Sequence, residues 1–222
     1  MQVQGARRMV RGAALILTVV VGLVLVGVAA AAVIVGTPGN DVLRGTPGAD
    51  QIRALGGNDL VYARGGSDHV GLGAGDDGAR GDGGNDVVYG GHGRDAIAGG
   101  EGNDAIRGGS DDDRLDGGNG RDRVSGNRGN DVVTGGRGND TLFGGFGADR
   151  VFGGPGDDVL HALAADGQPD LLDCGPGDDT AWVLRVERQR TALVGCERVI
   201  VVDVLTSDQE EGENADADAE AE

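Results

Sequence analysis

Gly135-Gly136-Arg137-Gly138-Asn139-Asp140-Thr141-Leu142-Phe143 is followed at once by Gly144-Gly145-Phe146-Gly147-Ala148-Asp149-Arg150-Val151-Phe152. The same nine-residue line can be traced outward from this pair in both directions, and from Gly36 to His161 it repeats fourteen times with no slipped residue. With the places numbered one to nine, place six is Asp in every copy: Asp41, Asp50, Asp59, Asp68, Asp77, Asp86, Asp95, Asp104, Asp113, Asp122, Asp131, Asp140, Asp149 and Asp158. Place eight is apolar in every copy, from Leu43 to Leu160, and place four is Gly except at Asp111. A fixed period decides the architecture before any single residue does. Each repeat is one unit that cannot bury its apolar side alone and must stack on its neighbours.

Composition is read through that period. Aromatic residues are only 3% of the chain, too few for a core built on large side chains. Its 46 glycines come with five prolines and a period of nine rather than three, which excludes collagen. The net charge of −18 would suit a disordered chain, but most of the surplus is held at place six. A chain this acidic avoids nucleic acid and anionic membranes and favours multivalent cations.

The line G-G-x-G-x-D-x-U-x, with U apolar, resembles the RTX (repeats-in-toxin) calcium-binding repeat over roughly two thirds of the chain. The resemblance implies an all-β parallel β-roll, a right-handed two-sheet solenoid with two nonapeptides, 18 residues, per coil. It also implies calcium ions held between stacked turns by Asp side chains and main-chain oxygens. Places seven to nine are expected to form a short strand and places one to six the turn. Alternate copies then share an edge, so that Asp86, Asp104, Asp122, Asp140 and Asp158 form one column and Asp95, Asp113, Asp131 and Asp149 the other.

Carboxylates stacked about 4.8 Å apart repel and call for a cation between them. Calcium takes six to eight oxygen ligands, carbonyls included, in flexible geometry, whereas magnesium demands a tight octahedron and keeps its waters. Zinc would want His or Cys, which the turns lack. Complete GGxGxD turns begin at Gly90, Gly99, Gly117, Gly135, Gly144 and Gly153, and the two columns named above are the main candidate ligands. Asp41, Asp50, Asp59, Asp68, Asp77 and Asp179 are secondary candidates, since the leading copies are looser: Leu55, Arg64 and Leu72 stand where the turn wants Gly. The metal-free alternative is that each Asp merely accepts bonds from backbone amides.

Before the repeats, Arg7, Arg8 and Arg11 precede an apolar run from Ala13 to about Ala32. Residues 1–32 read as a secretory signal peptide cleaved near Ala32. The run also approaches the roughly 20 residues that span a bilayer, so a retained anchor is the alternative. The β-roll is expected over 33–161. In 162–206, inserting Ala162-Leu163-Ala164 restores the register, with Asp170/Leu172 and Asp179/Ala181 at places six and eight. Trp182 to Val186 and Arg198 to Val202 read as strands of a C-terminal β cap. Cys174 and Cys196 are expected to form a disulfide there, as suits a secreted chain. Cys174-Gly-Pro-Gly-Asp-Asp and Gly195-Cys196-Glu197 are similar to the cap of some secreted bacterial calcium-repeat proteins. Residues 207–222, acidic and without large apolar side chains, read as a disordered tail.

Nothing else in the chain assembles into an enzyme. His69, His92 and His161 fall at places seven, three and nine, all expected to face solvent, and no Ser/His/Asp set converges with them. Adjacent carboxylates such as Asp76-Asp77 are one turn position and its neighbour, without a cleft between them. Arg44, Arg53, Arg80 and Arg107 share place nine and read as one solvated outer stripe. Phe143, Phe152 and Trp182 also fall at place nine and are expected to pack toward the cap. The expected protein is a secreted, monomeric, non-enzymatic calcium binder that folds when it meets extracellular calcium. It would bind no nucleic acid, and no membrane once the signal is cleaved. A calcium-stiffened cell-surface or matrix stalk is the alternative, and a polysaccharide-modifying or toxin-related enzyme a more distant one. Nothing in the sequence specifies a protein or glycan partner.

Overall fold

The computed structural model describes residues 31–203. The signal or anchor segment and the acidic tail fall outside these residues, apart from Ala31 and Ala32 at the very end of the former. Among the described residues there are nineteen strands, β1 to β19 in chain order, and no helix. Successive strands alternate between two parallel sheets, ten strands in one and nine in the other. The sheet of ten begins at β1 (Val33–Val35) and ends at β19 (Arg198–Val202), and the sheet of nine runs from β2 (Val42–Arg44) to β18 (Ala192–Val194). Up to β15 each strand pairs with its neighbour in the sheet at a fixed offset of 18 residues, as in Leu115↔Val133 and Val124↔Ile106. This is the expected all-β two-sheet solenoid with 18-residue coils.

The core is a single file of place-eight side chains facing one another between the sheets. Ile52, Val61, Val70, Val88, Ile106, Leu115, Val124, Val133, Leu142, Val151 and Leu160 are all buried. Small branched residues suffice because the sheets are tied by very short turns, which leave little room between them. Leu72, at place one of a leading copy, also points into this core, alongside Ala54 and Ala63.

The strands are longer than the nonapeptide line suggests. Val87–His92 is one strand, spanning places seven to nine and then one to three of the next copy, so the turn proper is only places four to six. Pairing skips place one: Asp116 pairs with Thr134, and the next pair is Gly118↔Gly136. The chain bends at places one and two and still recovers its partner, because place two takes a positive φ, as at Gly91 (+113°) and Gly136 (+109°).

The insertion behaves as its length requires. Ala162, Leu163 and Ala164 are buried, and pairing resumes with an offset of 21 residues, Leu160 opposite Ala181. Beyond it, β17 (Thr180–Leu184) and β19 lie parallel on the preceding strands, so the C-terminal cap is one more coil of the same stack. A disulfide joins Cys174 to Cys196, 22 residues apart, across this last coil.

Candidate metal centre

From Asp50 onward, the carboxylate of each place-six Asp is tied to the coil before it. The amide of Asp86 donates to Asp104 Oδ1, that of Asp104 to Asp122 Oδ1 and that of Asp122 to Asp140 Oδ1, each at 2.8 Å. The ladder continues from Asp140 to Asp158 and from Asp158 to Asp179. On the opposite edge it climbs from Asp95 through Asp113 and Asp131 to Asp149, and from there to Asp170 at 3.0 Å. One oxygen of each of these carboxylates is thereby fixed.

In thirteen of them the other oxygen has no protein donor. Oδ2 of Asp59, Asp68, Asp77, Asp86, Asp95, Asp104, Asp113, Asp122, Asp131, Asp140, Asp149, Asp158 and Asp179 is buried without a hydrogen-bond partner. A buried acceptor left unpaired costs on the order of 1–3 kcal/mol, and more when charged. Thirteen in one chain is far above the few that a folded protein tolerates.

Burial pushes the column carboxyls from Asp68 onward above their ordinary value. Asp113 and Asp149 are raised to about 8, and Asp95, Asp122, Asp131 and Asp158 to about 7. Asp68, Asp104 and Asp170 are raised to about 6. The amide bond from the preceding Asp pulls the other way without overcoming burial, and neighbouring carboxylates such as Asp131 beside Asp113 add to the rise. The site favours whichever state neutralises the charge, proton or cation.

The donor set suits a cation that accepts carbonyl oxygens. In copies three to fourteen, places two and four both have positive φ, from Leu55 and Gly57 to Gly154 and Gly156. Carbonyl oxygens consequently crowd the space between stacked turns. A Cβ at Gly81 would collide with Asp86 Oδ2 and the Gly99 carbonyl oxygen, and one at Gly93 with the Gly75 carbonyl oxygen. Among the described residues no three His, Cys, Asp or Glu side chains converge. Each site must therefore combine one or two carboxylates with main-chain oxygens, which fits calcium and excludes a zinc-type cluster.

Two column members escape the nonapeptide reading as candidate ligands. Asp170 extends one column, and Glu197 closes the other by accepting the Asp179 amide at 3.0 Å through Oε2. Glu197 stands 18 residues after Asp179, so the coil length alone could have found it. Asp41 and Asp50 are placed differently, since their Oδ2 atoms accept the amides of Thr37 and Thr46.

Two outer-face expectations need correction. His161 is mostly buried rather than solvent-facing: it stacks on Phe143 at 4.3 Å and lies parallel to Trp182 at 6.2 Å. Burial, with Arg123 nearby, lowers it to about 4. The cause is register, because pairing sets Phe143, His161 and Trp182 side by side on neighbouring strands. The place-nine arginines, for their part, do not form one stripe, since odd and even copies face opposite sides. Arg44 and Arg80 flank Tyr62 on the sheet of nine, with Arg44 over its ring at 5.0 Å. Arg53 and Arg107 lie on the sheet of ten, where Arg107 covers Tyr89.

Comparison with known families agrees with this geometry. The model for the RTX calcium-binding nonapeptide repeat matches residues 35–70, 72–106, 99–133, 125–160 and 134–168. No curated protein matches the chain. The family binds Ca2+ in the turns between coils, and the stacked buried Asp residues here fit multiple calcium sites. With matches over more than half its length and a solenoid of 18-residue coils, the chain belongs to the RTX calcium-binding nonapeptide repeat family.

Proposed function

We propose that this is a secreted, non-enzymatic protein whose folding is driven by extracellular calcium. The observation that carries the reading is the row of thirteen buried Asp Oδ2 atoms without a protein donor. Asp86, Asp95, Asp104, Asp113, Asp122, Asp131, Asp140, Asp149 and Asp158 are the proposed principal ligands, together with carbonyl oxygens of their turns. Asp59, Asp68, Asp77 and Asp179 share the unpaired oxygen and join them. A bound calcium ion supplies the positive charge that two neighbouring carboxylates need in order to stay ionised in a buried stack. Because such a site exists only in the folded chain, its binding energy is folding energy.

Secretion is supported by Arg7, Arg8 and Arg11 ahead of the apolar run, and by the disulfide, which suits an oxidising compartment. At low cytoplasmic calcium the chain would remain unfolded for export, and at millimolar calcium outside it would close into the roll. The roll is a monomer in this reading and takes no nucleic acid. A stiffened surface stalk is the second reading, favoured by the placement of β1 and β19 at opposite ends of the long sheet. Far-UV circular dichroism during a calcium titration tests the main reading. The expected result is a largely unfolded chain in EDTA that gains β signal cooperatively with calcium, and identical spectra in the two conditions would rule it out. Recovery of the chain from the cell surface rather than the medium would favour the stalk.

A further inference from the structure

The first two turns are built differently from the twelve that follow. In copies one and two, none of Thr37, Gly39, Thr46 and Gly48 has a positive φ, whereas places two and four have one in every later copy. The sequence supplies the reason. Thr37-Pro38 and Thr46-Pro47 occupy places two and three, a β-branched residue resists positive φ, and a residue before proline is held in the extended region.

With place two extended, its amide turns toward the carboxylate of its own turn. Thr37 N donates to Asp41 Oδ2 at 2.6 Å, and Thr46 N to Asp50 Oδ2 at 2.5 Å. The hydroxyls add a second bond each, Thr37 to Asp41 Oδ2 and Thr46 to Asp50 Oδ1, both at 2.9 Å. The remaining Oδ1 of Asp50 also accepts the Ala32 amide. These Oδ2 positions are the ones that no protein group reaches from Asp59 onward.

The peptides above the turns differ as well. A Cβ at Gly57 would meet the Asn40 amide nitrogen and the Gly39 carbonyl carbon, both at 2.6 Å. A Cβ at Gly75, one coil later, would meet the Gly57 carbonyl oxygen instead. The first turn thus places an amide nitrogen where the later turn places a carbonyl oxygen, and an amide nitrogen is no ligand for a cation.

We infer that Thr37 and Thr46 make the first two turns a metal-free end cap: they satisfy Asp41 and Asp50 internally, so that calcium binding starts with the turns that end at Asp59 and Asp68. The inference rests on the calcium reading and decides where the array begins. Nonapeptides that match the family by their Asp thereby divide into two chemical kinds according to place two.

The test counts calcium per chain by equilibrium dialysis at saturating calcium, on the full chain, with circular dichroism to verify the β signal. Asp41→Asn with Asp50→Asn is expected to leave the count unchanged, while Asp113→Asn with Asp122→Asn lowers it by about two ions. A drop of about two ions with the first pair would overturn the inference. The converse variant carries Thr37→Gly, Pro38→Arg, Thr46→Gly and Pro47→Arg, giving the first turn the Gly-Gly-Arg-Gly-Asn-Asp form of the turn at Gly135 and the second the Gly-Gly-Arg-Gly-Ala-Asp form. It is expected to gain up to about two ions, and an unchanged count would likewise overturn the inference. Absence of calcium binding by the unmodified chain is a different result, which would remove the calcium reading itself.

Discussion

An aspartate that is costly to bury and an aspartate that holds the molecule together can be the same residue under different conditions. Asp149, raised to about 8 chiefly by burial, is such a case. Asp149→Asn keeps the oxygen that accepts the Asp131 amide and removes the charge. In EDTA at neutral pH it is expected to stabilise the chain, and at saturating calcium to destabilise it. Urea unfolding under both conditions reads the change of sign. Glycines sort in a similar way. Gly136 has φ +109° and a Cβ there would strike the backbone of Gly118, so Gly136→Ala should cost about 2 kcal/mol or more. Arg64, at φ +85°, already bears the strain of a left-handed position. Arg64→Gly is expected to stabilise by about 0.5 kcal/mol, the relief exceeding the added freedom of the unfolded chain. At this scale the sequence is legible where a place is invariant. It was silent on His161, since burial at place nine depends on Phe143 and Trp182 arriving beside it from copies far along the chain.

Each strand is bounded by what its turn permits. The nonapeptide line predicts the strand at places seven to nine from its apolar place eight, but the extension through Gly90 and Gly91 to His92 follows from backbone pairing, which glycine leaves no side-chain signal to announce. The C-terminal coil shows the opposite balance: strands legible from β-branched residues, and a role visible only in the stack. Cys174 is fully buried at place one, and its bond to Cys196 closes the last coil, in which residues 185–194 carry no glycine. Replacing both cysteines by Ser is expected to cost about 3 kcal/mol in that coil. Limited proteolysis should then cut first within residues 185–197, while the repeats up to His161 stay protected in calcium.

For the whole molecule, the carboxyl columns set an unusual response to pH. Folded-state values of about 6 to 8 lie above the ordinary 3.8, so between these limits the metal-free fold binds more protons than the unfolded chain. Its stability is fully present below about pH 4 as far as the carboxyls go, and is lost as pH rises through 6 to 8. His161, lowered to about 4, opposes this, contributing stability above its ordinary 6.5 that is lost as pH falls toward 4. In EDTA the β signal should therefore grow on acidification from pH 7.5 to about 5, and calcium added near pH 7 should release protons, measurable by titration in weakly buffered solution. A β signal that only falls on acidification would contradict the columns as described. Period alone pointed to a stacked repeat, and the resemblance to the RTX line implied the two-sheet roll with 18-residue coils. What period does not reveal is the difference between the Thr-Pro turns and the rest, since both carry the same Asp.

The parallel stack also makes the molecule a spool. Ten strands in the longer sheet span nine spacings of about 4.8 Å, roughly 43 Å from β1 to β19. Each 18-residue coil nevertheless stores about 60 Å of extended chain, so peeling one coil from an end pays out more length than the whole roll possesses. Tension between the two ends would lengthen the protein in discrete steps of about 55 Å for each 18-residue coil that yields. The Cys174–Cys196 loop withholds its own slack, so peeling from that end pays out less chain in its first step than peeling from the other.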